Sequence, residues 1–235
     1  MGPKVNREQI ERLYRFTREH FVEHYDLQTE LVDHLSNAIE EQWKENPKLS
    51  FEEALQKEFK KFGVFGFGDV VEKRQNAMQK RYFKFVWTHF VSFFKLPKIL
   101  LTIGIIGIVF QLLHFFPYQE FIIYALILFF VVAFGLWQFK TYRLLKKHKK
   151  ESRKRWLMEE IIYQFGLGTA FPVMFQLFFH VSKFGSYGLE SWQSQLFFSI
   201  LFVVLTLFFY IMIKIIPSKA KHYLERTYPE YAFVE

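Results

Sequence analysis

Residues 121–139 read FIIYALILFFVVAFGLWQF, a run without a single acidic or basic side chain. A helix of about 20 apolar residues crosses a hydrocarbon core of ~30 Å, so this run is long enough to span a bilayer. Three further stretches, 99–119, 161–182 and 191–213, also lack Asp, Glu, Lys and Arg. The sequence therefore predicts an all-α membrane protein with four transmembrane helices.

We expect these helices to form a four-helix transmembrane bundle within residues 97–216. The predicted spans are approximately 97–116, 120–139, 160–182 and 194–216. The connection between the first two spans is only a few residues long, which predicts an antiparallel hairpin. An even number of spans places both ends of the chain on the same side of the membrane.

The stretch 140–159, between the second and third predicted spans, is expected to be a basic loop. Within it, residues 140–155 carry nine lysines and arginines against one acid, Glu151. The nine are Lys140, Arg143, Lys146, Lys147, Lys149, Lys150, Arg153, Lys154 and Arg155. Positive charge beside a span marks the cytosolic side, so this loop, residues 1–95 and the tail 217–235 are predicted to be cytosolic. Contact of the loop with anionic lipid, or with an acidic protein surface, remains open.

Charge and cysteine content exclude several classes of protein. The formal net charge is +8, but almost all of the excess lies beside the predicted spans and not on the first 95 residues. A nucleic-acid-binding domain would carry that excess on a soluble face, so direct nucleic-acid binding is not expected. The chain has no cysteine, which excludes disulfides and thiolate metal sites. No cofactor is predicted.

Residues 1–80 are predicted to form a small cytosolic helical domain. Two capping boxes, beginning at Asn6 and Ser50, mark the starts of helices. The first helix is expected to carry an apolar stripe that reaches Phe21 and Tyr25, with Phe21 in the core. A second helix is expected from about Asp26. Its apolar stripe consists of Leu27, Leu31, Leu35, Ala38, Ile39 and Trp43.

Glycines in the stretch 63–68 are interpreted as a turn between helices, because the stretch lacks the features of a phosphate-binding loop. Another helix is predicted from Asp69. Residues 81–96 are predicted to form an amphipathic juxtamembrane helix. Its aromatic side would lie in the headgroup plane, or it would be a connector packed against the cytosolic domain.

One string resembles a catalytic metal motif. His20, Glu23 and His24 fit a His-x-x-Glu-His pattern, in which two imidazoles one helical turn apart would lie beside a carboxylate. A third ligand and a deep cleft would also be needed, and a solvated polar face is the preferred interpretation. We therefore predict no catalytic residue, no metal site and no enzymatic activity, with a metal-dependent hydrolase as the remaining alternative.

The predicted spans contain few polar groups. His114 and His180 lie near their outer ends, and glutamines are typical of contacts between helices. Pro172 could kink the third predicted span and open a cavity. These features keep a small transporter or permease subunit as an alternative function.

A segment of the cytosolic domain resembles the HAAS-type, or permease-prefix, helical domain. The resemblance rests on Glu30-Leu31-Val32-Asp33-His34-Leu35, Ala38-Ile39-Glu40-Glu41, Ser50-Phe51-Glu52-Glu53-Ala54-Leu55 and Phe62-Gly63. It covers about 40 residues. The family usually continues Gly-Asp-Pro, whereas this chain has a longer turn before Asp69.

The resemblance implies a multi-pass protein of the bacterial cytoplasmic membrane with a signalling or regulatory role. Members of the family are often paired with PadR-like transcription regulators, so a soluble regulator of that kind is one expected partner. The residues proposed for partner docking are Glu30, Asp33, His34, Glu40 and Glu41. Homo-oligomerisation is left open.

Overall fold

The computed structural model describes residues 3–151, 154–164, 176, 180, 189 and 191–233. All regular secondary structure among these residues is helical, which confirms the predicted all-α class. The chain divides into two compact units. Unit 1 comprises residues 1–80 and 152–160, and unit 2 comprises residues 81–151 and 161–235.

Unit 1 begins with three helices, α1 (Arg7–Glu19), α2 (Tyr25–Glu45) and α3 (Phe51–Lys60). Both predicted capping boxes are confirmed. The side chain of Asn6 accepts a hydrogen bond from the backbone N–H of Gln9, and Ser50 does the same for Glu53. In each box the side chain of the third helical residue also accepts a hydrogen bond from the backbone N–H of the cap residue. Two helix-end donors are thereby satisfied.

The core of unit 1 is formed by the facing sides of these helices. Its fully buried members include Leu13, Phe16, Leu27, Leu35, Ile39 and Leu55. The prediction that Phe21 belongs to this core is wrong. Helix α1 ends at Glu19, and Phe21 takes a left-handed backbone conformation with φ of 63° and an exposed ring. Phe21 lies in the turn between α1 and α2, two residues beyond the end of α1, so the helical spacing no longer places its ring in the core.

The glycine stretch forms the predicted turn between α3 and α4 (Gly68–Ser92). Gly63 and Gly66 have φ values of 78° and 54°, which side chains rarely adopt. A Cβ atom at Gly66 would lie 3.0 Å from the ring of Phe59, so the close packing of this ring also favours glycine at this position. Phe67, which follows, is buried against Phe59 and Phe16.

The remaining helices are α5 (Lys98–Phe115), α6 (Gln119–Glu151), α7 (Leu157–Gln164), α8 (Trp192–Tyr210) and α9 (Ala220–Thr227). A π-helical turn, Ile211–Ile215, and a short helical turn, Ile216–Ser218, extend α8. Pro217 lacks an N–H and crowds the carbonyl four residues before it, which accounts for the widened turn there.

Three helices in the described part of the chain are long and apolar enough to cross a membrane. They are Lys98–Phe115, Gln119–Lys140 and Trp192–Ser218, at the positions of the first, second and fourth predicted spans. Their length and composition indicate a membrane protein. Most of the third predicted span, 160–182, lies outside the described residues, which include its start, as the end of α7, and the single positions 176 and 180.

Most of the predicted basic connection, residues 140–159, is helical. Helix α6 continues without a break to Glu151, giving 33 residues and a length of about 50 Å. Lysine, arginine and leucine are good helix formers, and no glycine or proline interrupts the sequence after Gly135. The helix therefore extends beyond the apolar part of its own sequence.

The core of unit 2 is formed by α5, α6 and α8. Val109 and Leu113 of α5 pack with Ile123 of α6 and with Phe198 and Val203 of α8. The second part of α4 belongs to this unit, and three of its residues pack on later helices. Phe90 contacts Phe208, Phe93 contacts Tyr210, and Phe85 stacks on Tyr223 with ring centroids 4.2 Å apart.

Helix α9, in the predicted tail, is held to α4 by one polar contact. The Nε2 atom of His89 lies 2.7 Å from the hydroxyl oxygen of Tyr223. Burial lowers the pKa of His89, and Lys219 and Lys98 lower it further because they disfavour a second positive charge. Burial also raises the pKa of Tyr223. Both shifts favour the neutral form of the group concerned.

The second capping box predicts a pH dependence for unit 1. Hydrogen bonds from the Ser50 side chain and backbone lower the pKa of Glu53 below its ordinary value of 4.5. The ionised carboxylate thus stabilises α3 above that value, and this contribution is lost as the pH falls through the lowered pKa. We expect the protection factors of the α3 amides, taken relative to intrinsic exchange at each pH, to fall at acid pH, and to fall less in Glu53→Gln. An identical pH profile in the two proteins would contradict this assignment.

Candidate functional site

The most extensively bonded polar site in unit 1 lies where α1 turns into α2. Residues 23–26 of this corner contact the segment 154–160, which precedes and begins α7. We call these two stretches together the joint. Hydrogen bonds, an ion pair and ring contacts connect them across about 130 residues of sequence.

Two backbone groups fix the register of the joint. The N–H of Tyr25 donates to the carbonyl of Arg155 over 2.7 Å. The N–H of Leu157, the first residue of α7, donates to Oδ1 of Asp26 over 3.1 Å. A carboxylate at a helix N-terminus satisfies an otherwise unpaired donor and interacts well with the helix dipole. Asp26 is therefore a cap supplied to α7 from a distant part of the chain.

An apolar anchor lies beside this cap. Trp156 is only 2% exposed and meets the ring of Tyr25 edge-on, with the centroids 5.3 Å apart. Its neighbours Leu157 and Met158 are also buried. The ammonium nitrogen of Lys154 lies 3.9 Å from the centroid of the Tyr25 ring, within the range of a cation–π contact. Tyr25 thus binds the incoming segment through its backbone and its ring.

Two further side-chain contacts complete the joint. Nε2 of His24 lies 3.2 Å from a carboxylate oxygen of Glu160, and both side chains are largely shielded from solvent. Arg155 pairs with Glu23, but both of these side chains are about half exposed. Solvent screens such a pair, and we expect it to contribute only ~0–1 kcal/mol. The buried ring and the helix cap therefore dominate the stability of the joint.

The chemistry of the joint is that of a docking contact. A buried aromatic side chain supplies most of the attraction, and directional hydrogen bonds set where α7 begins. Because α7 continues covalently from Glu160 to Gln164, any movement of residues 23–26 changes the constraint on the start of that helix. The contacts of the joint thus hold the first turn of α7.

The structure places the three residues of the His-x-x-Glu-His string in different surroundings. His20 caps the end of α1, and His24 precedes α2, so the two imidazoles do not share a helical face. The ring of His20 packs among Phe16 and Phe59, whereas Glu23 and His24 belong to the joint. Within residues 3–151, 154–164 and 191–233, no group of three or more His, Cys, Asp or Glu residues is placed to hold a metal.

The residues predicted for partner docking lie along α2. Glu30, Asp33, His34 and Glu41 are exposed, and Glu40 is half-buried. Some of them have partners within unit 1. Glu30 pairs with Arg74, Glu40 accepts a hydrogen bond from the N–H of Val5, and Glu41 pairs with Lys44. The segment 154–160 meets the α1–α2 corner, not this face of α2, and its arginine pairs with Glu23 of that corner.

The predicted basic residues fall into separate places. Lys140 and Arg143 are exposed on α6, where Arg143 lies over the ring of Phe139. Lys146, Lys147, Lys149 and Lys150 occupy the last turns of that helix. Arg153 lies outside the described residues, and Lys154 and Arg155 belong to the joint. Of the polar groups predicted in the spans, His114 lies 3.0 Å from the buried side chain of Gln195.

Sequence reasoning did not identify the joint. The available signal was the apolar triplet Trp156-Leu157-Met158, which stands in a polar stretch assigned to the cytosol. An apolar group of this kind needs a surface to cover it. The location of that surface, at Tyr25 and Asp26, depends on the tertiary fold.

Comparisons with protein-family models, with curated proteins and with solved structures find no match for this chain. The fold and the joint define a class, an all-helical protein with membrane-length helices and a separate helical unit. The HAAS-type resemblance remains a prediction.

Proposed function

We propose that this chain is a non-catalytic regulatory or sensor protein of the bacterial cytoplasmic membrane, with both termini in the cytosol. Its helical module, α1 to α3, docks a soluble protein through the outer face of α2. The joint then transmits the docked state to α7. The observation that carries this proposal is the joint itself, in which the corner of the module holds the start of a helix 130 residues away.

The position of α7 in the sequence supports a regulatory role for the joint. The predicted third span begins near residue 160, where the segment 154–160 of the joint ends. A partner that shifts the α1–α2 corner would favour either the docked or the released state of residues 154–160. Coupling of this kind needs an element with two arrangements whose balance the ligand changes. The docked segment is such an element.

The docking face follows from the amphipathicity of α2. Its apolar side is buried in unit 1, and its other side presents Glu30, Asp33 and Glu41 to solvent. An acidic face of this kind selects a basic protein surface, mainly by steering association and excluding acidic competitors. A PadR-like regulator is the partner suggested by the HAAS-type resemblance.

Capture of soluble proteins by the full chain in lipid nanodiscs tests this proposal. We expect a specific basic partner, and we expect the double variant Asp33→Lys with Glu41→Lys to reduce capture by ~10-fold or more, because like charges then face each other. The matched control is Glu8→Lys, which reverses an exposed acid on α1. Equal capture by both variants and the wild type, or no specific capture, would remove the docking proposal.

A second candidate function, a small transporter or permease subunit, is supported by one observation. Both amide atoms of Gln138 in α6 are buried and lack a hydrogen-bond partner among the described residues. Burying an unpaired amide is costly, and such groups call for an explanation such as a substrate path. Solute flux in proteoliposomes that survives deletion of residues 1–80 and is lost in Gln138→Leu would favour this candidate.

A further inference from the structure

Unit 1 exposes three large apolar side chains among its described residues, and all three adjoin one aromatic cluster. Phe21 is 90% exposed, Val64 is 99% exposed and Phe65 is 77% exposed. The cluster, which we call the ring cluster, consists of Phe16, His20, Phe59, Phe62 and Phe67. Phe21 follows His20 directly in the chain, and Val64 and Phe65 immediately precede Gly66 and Phe67.

The backbone at these positions supports a functional role for the exposed side chains. Phe21 is the one residue other than glycine with a positive φ in the described chain. A bulky residue in that conformation is strained, and a glycine or asparagine would fit with less cost. Strain of this kind, combined with exposure of an apolar ring, points to selection for a contact outside the unit.

The charge around the exposed side chains is basic. Lys57, Lys60 and Lys61 line the end of α3 that leads into the turn, and all three are exposed. Three of the neighbouring acids have partners, whereas Asp69, at the start of α4, is exposed. Lys61 and Gln42 bind Glu58, Arg12 binds Glu19, and Arg155 binds Glu23.

We propose that Phe21, Val64 and Phe65 insert into the interface of an anionic lipid bilayer, with Lys60 and its neighbours on the headgroups. Projecting apolar tips surrounded by lysines match the chemistry of interfacial lipid binding. The bilayer in question is the one that the membrane-length helices of the same chain would cross. Helix α4 begins directly after the turn and is about 37 Å long, and a membrane-length helix starts at Lys98. Unit 1 is therefore tethered near a bilayer, which raises the effective concentration of lipid at its surface.

This inference goes beyond the proposed docking function. Protein docking uses the exposed face of α2, whereas lipid contact uses the turn 63–67 and Phe21. The two surfaces can be removed independently, so failure of one proposal leaves the other unchanged.

The absence of cysteine allows a direct test in the full chain. Val64→Cys carries an environment-sensitive fluorophore at the turn, and Gln56→Cys carries the same probe on the exposed side of α3. Each protein is placed in nanodiscs that hold one copy, with nitroxide groups on the lipid acyl chains. With about 30% phosphatidylglycerol we expect the probe at position 64 to be quenched at least ~2-fold more than the probe at position 56.

Two further variants identify the cause of the quenching. Lys60→Glu should reduce it, whereas Lys48→Glu, an exposed lysine between α2 and α3, should not. Phe21→Asn should reduce it while leaving the thermal midpoint of unit 1 unchanged or higher, because strain is relieved. A purely structural role of Phe21 predicts a lower midpoint instead.

Equal quenching at positions 56 and 64 would overturn the proposal. Protection of the probe that appears only with two copies in one nanodisc, or only on addition of a soluble protein, would also overturn it. Those results would assign the surface to a second copy of this chain or to a protein partner.

Discussion

Trp156→Ala is expected to release the segment 154–160 from unit 1. The Trp156 ring is almost fully buried and packs against Tyr25, so its removal leaves a cavity where the joint holds α7. Truncation of a buried tryptophan costs ~3–5 kcal/mol, the largest single effect expected here. Hydrogen exchange of residues 154–160 in the full chain should accelerate by roughly 10²-fold or more, since ~1.4 kcal/mol corresponds to tenfold.

Trp192→Ala is the matched control for this experiment. Trp192 is the first residue of α8 and is 57% exposed, so its removal should leave exchange in unit 1 unchanged. If Trp156→Ala also leaves the exchange of 154–160 unchanged, the aromatic anchor of the joint does not exist in solution. In the proposed mechanism, Trp156→Ala should still capture the partner through α2 while losing any effect of the partner on α7.

Asp26→Ala is expected to have the second largest effect. Asp26 is 8% exposed, and its carboxylate accepts the hydrogen bond from Leu157 N–H at the start of α7. The alanine leaves this buried donor without its carboxylate, and the loss of a hydrogen bond to a charged group costs ~1.5–3 kcal/mol. The midpoint of thermal unfolding of unit 1 and the protection of the Leu157 amide should both fall.

Asp26→Asn separates the hydrogen bond from the charge. The asparagine keeps an acceptor oxygen at the same place and is as good a helix cap as aspartate. We therefore expect it to retain most of the stability and most of the protection at Leu157. Equal losses in the alanine and asparagine variants would show that the negative charge, and not the capping bond, is the important property.

The joint connects the two halves of the regulatory proposal. Docking on α2 alone would describe a scaffold protein, because binding of the partner would then have no effect outside the module. The cap from Asp26 and the anchor at Trp156 instead make the start of α7 depend on the α1–α2 corner. A partner that alters this corner then has a physical route to the following helix.

Local sequence signals predicted much of the helical structure correctly. The capping boxes at Asn6 and Ser50 are visible in the sequence because each one joins a cap residue to the residue three positions later. The membrane-length helices Lys98–Phe115 and Trp192–Ser218 follow from length and apolarity alone. The sequence did not show where two of the helices end. Phe21 kept the helical spacing but lies beyond the end of α1, and α6 runs on to Glu151.

The sequence by itself determined an all-helical chain with membrane-length helices and a helical module before them. Helix formation and membrane crossing depend on neighbours in sequence, since hydrogen bonds run four residues and a span is one continuous apolar run. Only the tertiary structure decided that Asp26 caps Leu157 and that Trp156 packs on Tyr25. Those contacts join residues about 130 positions apart, and no local pattern records which distant surface will cover an apolar triplet or satisfy a helix end.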